Sequence, residues 1–215
     1  MRHSTRPGFI IGFHGCDQEV KDALICKGLP MKPSVKSYDW LGNGCYFWEN
    51  NYERALEFAQ NPPGKKVIKN PTVIGAVIDL QYCLDLLDTS FLKMVKNSFI
   101  TIASTGDGID GGLPENIAPG PSKDLLIRHL DCAVIENVHK DRIARNVKPF
   151  DSARGVFVEG EPLYPGSGFN EKNHIQICIR NPNCIKGFFD PLHEVPWPPE
   201  NQQAPSYLLS SLAHN

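Results

Sequence analysis

The sequence has no apolar stretch that reaches the roughly 18 residues needed to span a bilayer, and its opening MRHSTRPGFIIGFHG has one short apolar run without a longer h-region, so neither a membrane span nor a signal peptide is expected. It has no C-x-x-C pair. The seven cysteines, Cys16, Cys26, Cys45, Cys83, Cys132, Cys178 and Cys184, are odd in number and scattered, which argues against a disulfide framework and a structural zinc site. A reducing, cytoplasmic setting fits that usage best. There is no G-x-G-x-x-G opening a helix after a strand and no Walker A loop, so the nucleotide folds those motifs mark are not indicated. Charge of one sign is also lacking. A net charge of -2 excludes a whole-protein basic field that would grip nucleic acid non-specifically and leaves only local patches.

What the chain does have is length for one domain and apolar residues for its core. Its 215 residues, 41% of them hydrophobic, suit a domain over residues 1–190 with an extension over 191–215. That extension carries Val195-Pro-Trp-Pro-Pro199 and Pro205 and reads as extended. Eighteen prolines and eighteen glycines predict many turns and long loops. Gly8 to Phe13 reads as a strand ending at His14-Gly15-Cys16, and Asp17 as the N-cap of a helix to about Cys26. Gly44 to Trp48 reads as a strand, and Asn50 or Asn51 caps a helix through Ala59, with Tyr52, Ala55, Leu56 and Ala59 at helical spacing. Val73 to Leu80 is strand, and Leu84 to about Ile102 is mostly helix. Residues 104–122 read as a long loop, and 124–139 mix a helix signal with the apolar run Cys132-Ala-Val-Ile135. Strands follow at Gly155–Val158, His174–Ile179 and Ile185–Phe189. Short strands alternating irregularly with few helices argue α+β rather than a regular parallel sheet.

Three segments carry chemistry. Phe13-His14-Gly15-Cys16 places a histidine at a strand end. In Tyr38-Asp-Trp-Leu-Gly-Asn-Gly-Cys-Tyr-Phe-Trp48, five aromatics beside two glycines suit either a core strand or a flat pocket for a ring. In His174-Ile-Gln-Ile-Cys-Ile-Arg180, strict alternation sends the isoleucines to the core and His174, Gln176, Cys178 and Arg180 to the opposite face, which is either solvated or lines a cleft.

Taken together, His14-Gly15, then Gly42-Asn-Gly-Cys-Tyr-Phe47 followed by a helix, then Gln176-Ile-Cys-Ile-Arg-Asn181 resemble the signature of the ADP-ribosyltransferases of the poly(ADP-ribose) polymerase type, H-G … G-x-G-x-Y-F … E-x-I-V-x-N. The resemblance covers roughly residues 8 to 190, with its specific matches in those three windows. It is closest in wording to small bacterial members. It implies two small, mostly antiparallel sheets with flanking helices, forming a cleft for NAD⁺ as co-substrate and requiring no metal. It implies that His14 bonds a ribose hydroxyl, that the Gly15 backbone holds the nicotinamide carboxamide, that Tyr46 stacks on the nicotinamide ring, and that Phe58 is the nearest candidate for a second aromatic. His14, Tyr46 and Gln176 are then the catalytic set.

Cleaving the bond to a cationic pyridinium needs no acid for the leaving group. It needs orientation and electrostatic support for an oxocarbenium-like transition state. Gln176 stands where most members have glutamate; it accepts the same hydrogen bond but carries no charge and is no base. That suggests single transfer rather than chain elongation, with a catalytically weak NAD or ADP-ribose binding module of the same fold as the alternative. Glu159, Glu161 and Glu171 lie in the segment that the resemblance makes the acceptor loop, and any one of them is a candidate for the missing carboxylate; His174 is a candidate acceptor contact. The acceptor is a macromolecule, protein or nucleic acid (RNA or DNA). Lys65, Lys66 and Lys69, and Arg142, Arg145, Lys148 and Arg154, are basic clusters that suit either a solvated face or a phosphate track. The resemblance also implies a bacterial toxin or phage-defence role, which would bring an inhibitory partner. An RNA phosphotransferase is disfavoured because such sites lean on basic residues, and a cysteine hydrolase built on Cys16 has no local signature here.

Overall fold

The computed structural model describes residues 8–62, 67–105, 112–119 and 123–192. The Pro-rich stretch of the expected extension, with Lys65 and Lys66 of the first basic cluster, lies outside them. The chain is α+β. Its strands are β1 (Ile10–Asp17), β2 (Cys45–Glu49), β3 (Pro71–Ile78), β4 (Cys83–Asp85), β5 (Asn116–Ile117), β6 (Ile127–Arg128), β7 (Ser152–Phe157), β8 (His174–Ile179) and β9 (Ile185–Phe189). The helices are α1 (Gln18–Ile25), α2 (Tyr52–Gln60), α3 (Thr89–Thr105) and α4 (His129–Ala144).

Seven strands form one sheet in the order β4-β7-β8-β2-β1-β3-β9, and β5 pairs with β6 alone. Every pairing in the large sheet is antiparallel except β4 with β7. The two separate sheets expected from the sequence are therefore joined. The joint is narrow: β1 and β3 pair from Ile10–Ile78 to Asp17–Pro71, whereas β1 and β2 register only at Gly12–Glu49 and Phe13–Trp48. The sheet also curls. Ala76 and Ile78 of β3 share a buried cluster with Phe47 of β2 and Ile177 and Ile179 of β8, although β1 and β2 stand between β3 and β8. Two halves of one sheet thus face each other across that core. Phe47, at 0% exposure, is its largest side chain, and truncating it to alanine would cost about 3–5 kcal/mol.

The other face of the sheet is covered by helices. Trp40, Leu41, Leu84, Ile135, Val138, Phe150, Phe157 and Cys178 form a second core beneath α3 and α4. A third cluster, Trp48, Ala55 and Val73 with Phe13, Tyr52, Leu56 and Phe58, seats α2 on β1 and β3. Capping residues set the local starts. Asp17 accepts from Glu19 N–H ahead of α1 and Asn51 accepts from Arg54 N–H ahead of α2, both at positions readable in the sequence.

Three segments differ from expectation. The first strand runs through His14, Gly15 and Cys16 to Asp17, because β3 supplies partners along its whole length. Leu84 begins no helix: residues 83–85 pair with β7, and Asp85 and Asp88 bond the N–H groups of Leu87 and Ser90, which delays α3 to Thr89. The run Cys132-Ala-Val-Ile135, where β-branched residues compete with helix, is helical because α4 buries Cys132, Val134, Ile135 and Val138.

Candidate functional site

The three windows singled out in the sequence fall on three neighbouring strands, β8-β2-β1. Trp48 lies opposite Gln176 and Tyr46 opposite Cys178, so Tyr46 and Gln176 share one face as diagonal neighbours on adjacent strands, a relation that puts their Cα atoms roughly 7–8 Å apart. Phe13 lies opposite Trp48, so Phe13 and Gly15 belong to that same face.

Gly15 sits where the sheet opens. In β1 the ladder to β3 alternates, and the carbonyl of Ile11 turns the other way to accept from Asn50 N–H at 2.9 Å. The same alternation aims the N–H and C=O of Gly15 toward β2, two residues beyond Phe13, where the registered ladder has ended. A side chain takes over there: His14 Nδ1–H donates to the Tyr46 carbonyl at 2.8 Å. Gly15 must be glycine, because a Cβ would lie 2.0 Å from the Ala55 carbonyl oxygen of α2.

His14 does not share the face of Tyr46 and Gln176. It projects from the opposite side of β1, its ring 5.9 Å from that of Phe47, and reaches the seam from beneath. Its bonded Nδ1 leaves Nε2 as the ring's acceptor atom.

Tyr46 is held by its hydroxyl, which donates to the Gly42 carbonyl at 2.8 Å and accepts from Leu41 N–H at 3.0 Å. Burial of the ring pushes the phenol well above its ordinary pKa. The Gly-x-Gly before it has a packing cause as well. Gly42 has φ +80°, and a Cβ there would lie 2.4 Å from Glu136 Oε1; at Gly44 a Cβ would lie 2.5 Å from Cys178 Sγ. Glu136 also accepts from Asn43 N–H at 2.8 Å and pairs with Arg180, so α4 clamps the turn. Arg180, expected on the cleft face, is used in that clamp.

Gln176 is half-buried, and its Oε1 accepts from the Trp40 indole N–H at 2.6 Å. The indole nitrogen only donates, which fixes the amide orientation. The expectation that this glutamine serves as an acceptor for a ribose hydroxyl is thereby altered: one lone pair is already used, and the amide N–H groups are its outward-facing chemistry. Trp40 is the residue that sequence reasoning missed. It stood inside the aromatic run ahead of the glycine turn, but nothing in the sequence placed it on Gln176, 136 positions away. The five aromatics of that run do not form one pocket. Trp40, Tyr46 and Trp48 lie on the helix-covered face, Phe47 lies beneath the sheet, and Tyr38 packs edge-on against His129 at 5.8 Å.

Phe58 rests against Trp48 at 5.0 Å and so flanks the position opposite Gln176. His174 is not an acceptor contact: it is 6% exposed, stacked on Phe157 at 5.2 Å, with Nδ1–H donating to the Lys172 carbonyl at 2.6 Å. Burial lowers its pKa to about 4. Among the described residues neither His174 Nε2 nor Trp48 Nε1 has a partner, which puts an unmet acceptor and an unmet donor beside Gln176.

The expected acceptor loop is an ordered hairpin. Lys172 N–H bonds the Glu159 carbonyl, Glu171 N–H that of Glu161, and Leu163 N–H that of Phe169. Glu161 and Glu171 are exposed, while half-buried Glu159 pairs with Arg54 Nη2 at 2.9 Å. Burial raises the Glu159 carboxyl above its ordinary pKa. Arg54 also pairs with Glu57, and Glu57 with Lys172, tying the hairpin to α2. The hairpin tip exposes Leu163, Tyr164 and Phe169.

The second basic cluster is split, with Arg154 buried and Arg145 and Lys148 exposed. Arg154, 2% exposed, is enclosed by Glu49 and Asp85; Lys148 pairs with Asp151, Arg145 with Asp141, and Arg142 lies over Phe150 at 4.5 Å. Cys16, at 5% exposure, is buried in the core, so a hydrolytic thiol there is disfavoured. Among the described residues no cluster of His, Cys, Asp or Glu suits a metal ion, and no helix is long and apolar enough to cross a membrane.

No family model, curated protein or solved structure matches the chain.

Proposed function

We propose that the chain is an NAD⁺-dependent mono-ADP-ribosyltransferase acting on a macromolecular acceptor. The observation that carries this reading is the short register between β1 and β2, beside which Gly15, Tyr46 and Gln176 share one face of three neighbouring strands. A carboxamide has one donor group and one acceptor, and the strand edge of Gly15 offers the complementary pair. Tyr46 supplies a ring face for the nicotinamide, and Phe58 and Trp48 continue the aromatic wall. The His14 ring, held to the Tyr46 carbonyl through Nδ1, braces the seam between β1 and β2 from the other side of the sheet.

The bond between the ribose and nicotinamide breaks with its electron pair leaving on neutral nicotinamide. The acceptor's lone pair forms the new bond, and its proton goes to solvent. Gln176 orients the ribose by hydrogen bonding and contributes dipole rather than charge. Glu159, locked to Arg54, is the carboxylate of the hairpin best held in place. The hairpin tip, 162–170, carries Leu163, Tyr164 and Phe169 and no basic residue, and Arg54 at its base is paired with Glu159 and Glu57. That chemistry favours an apolar protein surface as acceptor over a phosphate backbone.

The test is incubation of the purified chain with labelled NAD⁺ and cell lysate. Label on protein, insensitive to nuclease and weakly dependent on salt, together with released nicotinamide, supports the reading. A second reading is favoured by the neutral Gln176 with one lone pair already engaged: a module that holds NAD⁺ or ADP-ribose without turnover. Binding without nicotinamide release would establish it in place of the first.

A further inference from the structure

A cavity of about 370 Å³ lies between α3, α4 and the Trp40 loop, and Trp40, which lines it, also bonds Gln176. Its walls are apolar, including Trp40, Phe99, Val134 and Ile135. Two cations, Lys96 and Arg128, also line it. The one acid there, Asp131, is already paired with Arg128 Nη1 at 3.3 Å. Arg128 Nε donates to the Leu125 carbonyl at 2.7 Å, and its Nη2 has no partner among the described residues. Lys96 is exposed and has no ion pair among the described residues. The cavity thus joins aromatic and branched aliphatic walls to a net positive charge, two cations against one acid. Its volume falls in the range of small-molecule sites, roughly 300–1,000 Å³.

We propose that this cavity binds a small aromatic carboxylate, with its ring against Trp40 and Phe99 and its charge on Lys96 and Arg128. Trp40 is the shared wall. One side of its indole lines the cavity, its Nε1–H holds Gln176, and Arg128 lies over its ring at 5.1 Å. A ring seated in the cavity presses on the residue that sets the Gln176 amide, so occupancy is read out at the candidate site. Binding itself does not depend on the transferase reading; only its consequence for transfer does.

The test uses the full chain, isotope-labelled, without NAD⁺. Naphthoate is titrated against its neutral counterpart naphthalenemethanol, following the Trp40 indole N–H resonance, assigned through Trp40→Phe. Naphthoate should shift that resonance and bind about tenfold or more tightly than the alcohol, the range expected of a charge-assisted contact. Lys96→Gln, at an exposed helix position that folding tolerates, should weaken naphthoate about 3–10-fold and leave the alcohol unchanged. Val134→Phe, which fills the cavity, should abolish both. Equal affinity for acid and alcohol, an unmoved Trp40 resonance, or naphthoate binding indifferent to Lys96→Gln would overturn the proposal, whatever becomes of the transferase assay.

Discussion

Trp40 donates its indole N–H to the side-chain carbonyl of Gln176 at 2.6 Å, and this bond decides which half of the amide is left for other partners. Trp40→Phe keeps an aromatic ring in the core but removes the donor together with part of the indole's volume. The amide is then free to rotate. Nicotinamide release should fall about tenfold or more, with stability reduced by about 1–3 kcal/mol. Parallel urea titrations separate the two effects; unchanged turnover would remove Trp40 from the positioning role.

Gln176→Glu tests what the amide is for. The Trp40 donor would then meet a carboxylate, a stronger bond than the present one. The charge would also stand beside the developing oxocarbenium ion. Nicotinamide release should rise, and Gln176→Ala should abolish it while the far-UV spectrum stays native. A Glu variant less active than Gln would mean that hydrogen bonds donated by the amide N–H groups outweigh the added charge.

Tyr46 ties its own strand to the preceding turn through Gly42 and Leu41. Tyr46→Phe retains the ring face but leaves a buried N–H and C=O without the hydroxyl. The turn that carries Trp40 should loosen, at a cost of about 1–3 kcal/mol. NAD⁺ affinity by calorimetry should change little in Tyr46→Phe and fall sharply in Tyr46→Ala. Equal losses in both would assign Tyr46 to the turn alone.

Much of this arrangement was legible because local signals agreed with the tertiary ones. Asp17 and Asn51 cap where they stand, and the period-2 pattern of residues 174–180 predicted a buried isoleucine face, realised at Ile177 and Ile179. The opposite face of that strand was misjudged. Cys178 and His174 are buried there too, because Trp40 and α4 arrive from elsewhere in the chain, and alternation says nothing of what covers a face. The same limit hid the fate of Arg154. Position in a run of basic residues suggested a surface, whereas β4 and β2 bring Asp85 and Glu49 to it. The joining of the two expected sheets was invisible for a related reason, since it rests on a short register between β1 and β2 that no periodicity encodes.

Two buried histidines give the fold a pH dependence of known sign. His139 is 2% exposed and His174 6%, and burial lowers each to about 4 from an ordinary 6.5. Below 6.5 the unfolded chain takes up protons that the folded chain refuses until about 4. Stability is therefore full above that window and is lost as pH falls through it, by up to about 3 kcal/mol per histidine. Carboxylates held low by partners, such as Glu57 and Asp151, act mainly below this window. Urea midpoints measured from neutral pH downward should fall before the carboxylates protonate, and His139→Leu should flatten that slope. A midpoint independent of pH above the carboxylate range would mean that the two rings are charged or wet in the fold.

Arg154 offers the sharpest separation of a structural from a functional cation. Its Nε and Nη2 meet Glu49 at 2.5 and 3.1 Å, and its Nη1 meets Asp85 at 3.2 Å. Glu49 closes β2 opposite Gly12, so the cation also braces the short register that joins the two halves of the sheet. Arg154→Met takes the cation away from two carboxylates and should cost about 3–5 kcal/mol. Adding Glu49→Gln and Asp85→Asn removes the uncompensated charge and should restore part of that loss, as neutral packing replaces a broken network. If Arg154 instead contacted a nucleic-acid acceptor, the triple variant would fold well and still lose labelling, with a reduced salt dependence. The buried network predicts the opposite: labelling that follows stability through the series and returns with it.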